Sequence, residues 1–63
     1  MTFREMEKVI LKDGWYIDRQ KGSHRQYKHP TKKGTVTLAP HSWADTISRG
    51  TANSILKQAG LQK

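Results

Sequence analysis

Residues 15–29 read Trp-Tyr-Ile-Asp-Arg-Gln-Lys-Gly-Ser-His-Arg-Gln-Tyr-Lys-His, and the fold turns on how this stretch pairs with itself. Its start, Trp15 to Gln20, is aromatic and β-branched, which favours extended backbone. Lys21-Gly22 supplies a tight turn, because Gly adopts the positive φ that two-residue hairpin loops demand. Ser23 to His29 alternates as a returning strand, so the stretch predicts a β-hairpin. Pro30-Thr31-Lys32-Lys33-Gly34 is a second turn by composition, since Pro fixes φ and Gly frees it. Thr35-Val36-Thr37-Leu38 follows as a third strand by β-branching and alternation.

A helix is expected on each side of this meander. Thr2-Phe3-Arg4-Glu5 has the form of a capping box, and Phe3, Met6, Val9 and Ile10 repeat at helical spacing. Gly14 suits the left-handed residue beyond a helix end, with Trp15 folding back onto Ile10, which gives a helix over 3–13. Pro40 to Ile47 reads as a loop, and Ser48 as the N-cap of a second helix burying Ala52, Ile55, Leu56 and Ala59. Gly60 ends that helix, placing Leu61 within reach of Leu56. The fold class is therefore α+β in the order α-β-β-β-α: a three-stranded antiparallel sheet with both helices on one face.

The chain of 63 residues is read as one domain, 1–63, because only 33% of it is apolar and that supplies a single small core. With no Cys, neither a disulfide framework nor a thiolate metal site is available. No apolar run approaches the ~20 residues of a membrane-spanning helix, and Glu5 and Glu7 interrupt any leader-like start. A cytoplasmic protein with no membrane attachment is the expectation.

The net charge is +7, and it is concentrated. Residues 19–33 contain Arg19, Lys21, Arg25, Lys28, Lys32 and Lys33 with no acid, whereas the first eighteen residues sum to −1. Such a stretch points to a polyanionic partner, phosphate contact being favoured over mere solubility.

Strand periodicity sharpens the argument. If Trp15, Ile17, Tyr27, Val36 and Leu38 face the helices, then His24, Gln26 and Lys28 face water together. Arg25 then points inward beside Tyr27, where it must sit at the rim or lay its aliphatic stem on the aromatics.

His24 is the one titratable group on that exposed face capable of general acid–base work near neutrality. Neighbouring cations favour the neutral imidazole that a base requires, and they hold a phosphodiester as charge develops on its oxygens. That combination suits attack of a ribose 2′-OH on the adjacent phosphorus, without a metal. A single His defines no site, however, and on composition alone an ordinary surface histidine is the simpler account.

The remaining candidates are weaker. His29 precedes Pro30 and reads as structural or incidental; His41 lies in the 40–47 loop with phosphate contact and solvation both open. A three-His metal site is disfavoured, since five positions separate His24 from His29 and place them on opposite faces of a regular strand. Ser23 beside His24 makes no triad, because strand neighbours diverge and no acid orients the imidazole. Trp43 is either a stacking platform or a lid over a core short of large apolar groups, the latter being favoured.

Gly14-Trp15, Arg19-Gln20-Lys21-Gly22-Ser23-His24, Tyr27-Lys28-His29-Pro30 and Ser54-Ile55-Leu56-Lys57-Gln58-Ala59-Gly60-Leu61 together resemble the HicA toxins, small RNA-cleaving partners of type II toxin–antitoxin pairs. The resemblance runs from the first helix to Leu61. It implies the fold of double-stranded RNA-binding domains and metal-independent cleavage of mRNA with no cofactor. It also implies that the His of the Gly-Ser-His element, here His24, is catalytic. A cognate HicB antitoxin would hold such a toxin inactive. The segment Ala39 to Ile47 fits the family pattern less well, so His41 and Trp43 take no role from it.

The combined expectation is an mRNA-cleaving toxin with His24 as general acid or base. Lys21, Arg25 and Lys28 are the candidate phosphate contacts, and Gly22 shapes the turn beside them. Two alternatives stand beside it: a non-catalytic RNA-binding domain, and an interaction protein whose basic face meets an acidic partner.

Overall fold

A computed structural model describes residues 1–61 and has the expected order: α1 (Phe3–Lys12), β1 (Tyr16–Lys21), β2 (His24–Lys28), β3 (Val36–Leu38) and α2 (Arg49–Gln58). The strands form one antiparallel sheet in the order β1-β2-β3, which the hairpin and the following turn make the simplest pairing.

Both ends of α1 are closed by the residues that signal them in sequence. The Thr2 hydroxyl accepts the Glu5 N–H at 3.2 Å, and the Glu5 carboxylate accepts the Thr2 N–H at 2.8 Å. The next two free donors of the first turn find partners in the 40–47 loop, Phe3 N–H on the Asp45 carbonyl and Arg4 N–H on that of Trp43. The loop is thereby tied to the chain start, a tie extended by the Ile47 N–H on the Met1 carbonyl at 2.8 Å and by a Thr2–Thr46 bridge. At the other end, Gly14 N–H bonds the Leu11 carbonyl and Trp15 N–H that of Ile10, a Schellman close. Gly14 has φ of +108°, and a Cβ there would stand 2.8 Å from the ring of His29. That position excludes every side chain on both counts.

The second helix repeats the scheme. The Ser48 hydroxyl accepts the Thr51 N–H at 3.3 Å, while Leu61 and Gly60 bond back to the Leu56 and Lys57 carbonyls.

One buried cluster joins these elements: Met6 and Ile10 of α1, Ile55 and Ala59 of α2, Tyr27, Val36 and Leu38 of the sheet, and Trp15 and Ile47 of the connections. Both helices thus cover the same face of the sheet, and Phe3, Trp43, Ala52, Leu56 and Leu61 pack around the rim of the cluster. Burial of this apolar surface is the main force holding so short a chain together.

Three local expectations differ. Trp15 belongs to the helix close rather than to β1, where its indole N–H reaches the Ala59 carbonyl at 3.2 Å. Ser23 falls in the turn rather than in β2, and His29 lies just beyond it, leaving a two-residue Gly22-Ser23 loop between paired Lys21 and His24. Ile17 shares the helix-side face with its partner Tyr27 yet is 44% exposed. The reason is its place on the edge strand, all six residues of which are exposed.

Candidate nucleic-acid interface

The hairpin ladder contains an irregularity that decides the chemistry of the sheet's uncovered face. Tyr16 pairs with Lys28 and Ile17 with Tyr27, but the next pairs are Arg19 with Gln26, Gln20 with Arg25 and Lys21 with His24. Asp18 is therefore an extra residue, a β-bulge in the edge strand. Directly opposed residues of an antiparallel pair share a face. Tyr16, Arg19 and Lys21 accordingly stand on the same side as Lys28, Gln26 and His24, away from the helices, with Thr37 of β3 beside Gln26.

On this open face Arg19, Lys21, His24 and Gln26 line a shallow depression of about 460 Å³. Among the described residues, its lining holds two cations, one imidazole and one amide, and no carboxylate. His24 sits at the first position of β2, exposed and directly across from Lys21. Gly22, with φ of +59°, makes the turn that holds these two strand ends together. A Cβ there would meet nothing within 4 Å, so backbone conformation alone calls for Gly. Lys28 stands exposed at the far end of the same row, beside Tyr16.

Arg25 is on the opposite side. Its Nη1 donates to Glu7 Oε2 at 2.6 Å, the Tyr27 hydroxyl donates to the same oxygen, and the guanidinium lies 4.3 Å from the centroid of the Trp43 ring. The bond to Glu7 raises the Arg25 pKa further, and burial, reinforced by that carboxylate, pushes the Tyr27 hydroxyl up. The awkward inward arginine is thus resolved by an ion pair and a cation–π contact beneath the sheet. Trp43 is half-buried against the core and acts as the lid.

His29 is a structural staple. Its Nε2 donates to the Asp13 carbonyl at 2.8 Å and its Nδ1 accepts from the N–H groups of Thr31 and Lys32, both at 3.1 Å, which fixes the tautomer. The ring packs edge-on to Trp15, with centroids 5.3 Å apart. Lys32 closes the same corner by bonding Asp13 and the Ala59 carbonyl. That bond to Lys32 holds the Asp13 carboxyl below the usual carboxylate range. His41 is exposed in its loop, remote in chain from the depression. Among the described residues, no group of three His, Asp or Glu is placed to hold a metal ion.

The residue that sequence reasoning missed is Arg19. Strict alternation from Ile17 carries it to the helix side, and only the bulge moves it beside His24. An acidic residue inside a strand-like run was the available sign, since Asp is disfavoured in regular β structure.

Among the described residues, no helix is long and apolar enough to cross a membrane. No curated protein matches the chain. The family model described as "HicA toxin of bacterial toxin-antitoxin" matches residues 3–61, nearly the full length. With the α-β-β-β-α order in place and the match spanning every element of it, the chain belongs to the HicA toxin family, whose members act as the toxin halves of bacterial toxin–antitoxin systems.

Proposed function

We propose that this toxin is a metal-independent endoribonuclease that cleaves mRNA in the cytoplasm, with His24 as its proton-transfer group. The observation that carries the reading is one exposed imidazole in a cationic, carboxylate-free depression on the uncovered face. Cations there attract the RNA backbone and stabilise charge on a phosphorus undergoing substitution.

The chemistry follows from those groups. His24 removes the proton of a ribose 2′-OH as its oxygen attacks the adjacent phosphorus. The P–O5′ bond breaks, and the imidazolium returns a proton to the departing O5′. The products are a 2′,3′-cyclic phosphate and a 5′-hydroxyl, with no water consumed and the imidazole restored. One ring serves as base and then acid, a dual role that imidazole chemistry allows. Lys21 sits opposite His24 at the site of reaction, and Lys28 holds the strand farther along β2. Gly22 maintains the turn on which the Lys21–His24 juxtaposition depends. Arg25 supports the site from below through Glu7 and Trp43 rather than by meeting phosphate.

The partner in the toxin–antitoxin pair is proposed to be a HicB-type antitoxin that covers this basic face, where acidic groups would find complementary charge. The basic face by itself would also suit a domain that binds RNA without cutting it.

The test is incubation of the purified toxin with a purified transcript in excess EDTA. Cleavage to fragments ending in 2′,3′-cyclic phosphate and beginning with 5′-hydroxyl is the expected result. Intact RNA, bound with a steep salt dependence, would establish the non-catalytic binder instead. Weak binding indifferent to salt would favour an interaction protein with no nucleic-acid partner.

A further inference from the structure

We propose that Arg19 grips the scissile phosphate, and that the bulge at Asp18 is the device that brings it to His24. The proposal rests on the open face being the site of RNA cleavage and names a substrate contact within it.

Register makes the case. In an unbroken ladder continuing from the Ile17–Tyr27 pair, Asp18 would face Gln26 and Arg19 would face Arg25. An acid would then occupy the open face, and Arg19 would crowd the guanidinium already bound to Glu7. The extra residue shifts everything after it by half a strand period, so Arg19 opposes Gln26 and Lys21 opposes His24. The sheet gives up ladder regularity and obtains two cations beside the imidazole.

Reach and chemistry distinguish Arg19 from the other cations. Lys28 lies four residues along β2 from His24, roughly 13 Å at strand spacing, too far for the same phosphate. Arg19 stands one side-chain step along from Lys21, roughly 7 Å, and helps line the depression that contains His24. Its planar fork offers two parallel N–H donors to the two non-bridging oxygens, whereas Lys21 offers a point charge. Charge grows on those oxygens as the 2′-oxygen attacks, so the Arg19 contact strengthens toward the transition state.

Single-turnover cleavage of one transcript by excess toxin separates the maximal rate from the half-saturating concentration. Arg19→Gln should lower the maximal rate by ~10²-fold while moving half-saturation only a few-fold. Arg19→Lys should recover little of the loss, because charge remains and the fork does not. Lys28→Gln should do the reverse, raising half-saturation and sparing the rate. Arg19 is exposed on an edge strand, so circular dichroism should show an unchanged fold.

A pair of deletions tests the bulge separately. Deleting Asp18 leaves Arg19 opposite Gln26 in a regular ladder and should preserve cleavage. Deleting Gln20 also regularises the ladder, but it puts Asp18 opposite Gln26 and sends Arg19 to the helix side. Cleavage should then fall as in Arg19→Gln. A parental maximal rate for Arg19→Gln, or equal activity in the two deletions, would overturn the proposal. His24→Ala run alongside keeps the two claims apart. If it abolishes cleavage while Arg19→Gln is unimpaired, only the Arg19 assignment fails; if it leaves cleavage intact, the reading of the site fails.

Discussion

At the scale of single residues, Glu7 shows how one side chain on the concealed side shapes the working face. One of its carboxylate oxygens takes hydrogen bonds from both Arg25 and Tyr27, holding the arginine over Trp43 and giving the buried phenol its acceptor. Glu7→Ala leaves a partly buried cation and a buried hydroxyl unpaired, and should cost about 1.5–3 kcal/mol of stability, read from the urea midpoint. A cost near zero would mean the cluster is not a structural anchor. Of this, only the inward facing of Arg25 was legible in the sequence. Arg25 was seen to point inward, but its partner lies 18 positions earlier on a helix, and strand periodicity carries no information across that distance.

At the scale of elements, the helix ends and the turns were the legible parts. Capping boxes, Schellman closes and glycine turns are local devices, so Thr2, Glu5, Gly14, Gly22 and Ser48 announce them directly. The bulge is different, because a single inserted residue leaves the composition of the strand unchanged while reversing the facing of all that follows. That is why His24, on the regular strand β2, could be placed on the open face by alternation and Arg19 could not; the same alternation carries Lys21 to the helix side as well. The helix-end devices also set an acid limit on stability. Asp13 is held below its ordinary pKa by Lys32, and Glu5 by the Thr2 backbone N–H. Carboxylates with depressed folded-state values contribute stability that is fully present above their unfolded values, near pH ~4. The contribution is lost as pH falls through the lower folded values. The urea midpoint should therefore hold steady down to about pH 5 and drop below pH ~4. Asp13→Asn should lower the plateau and flatten the drop; an unchanged acid profile in that variant would contradict the assignment.

At the scale of the whole molecule, charge and core are segregated by the sheet. The helix side carries the apolar cluster with Glu7, Arg25 and the Asp13–Lys32 pair at its margins. The open side carries Arg19, Lys21, His24, Gln26 and Lys28. Among the described residues, nine hydrophobic side chains are buried, a small core, and a domain of this size draws only about 3–5 kcal/mol from one. Leu38, a fully buried member of the cluster, should cost about 2–5 kcal/mol when replaced by Ala. That is enough to leave the isolated toxin largely unfolded by circular dichroism at room temperature. A cooperative melt near that of the parent would show the core to be better buttressed than this account holds. The open face has its own molecule-wide signature. If Arg19, Lys21 and Lys28 each meet a phosphate of a single strand, log K for RNA should fall with log salt at a slope of about −2.

The most direct test of the central claim is the cleavage rate of one purified transcript, in EDTA, by His24→Ala relative to the parent protein. With fold and RNA affinity retained, the rate should fall by at least ~10²-fold, the scale set by loss of a positioned general acid–base. A variant that cuts as fast as the parent would contradict the assignment of proton transfer to this imidazole.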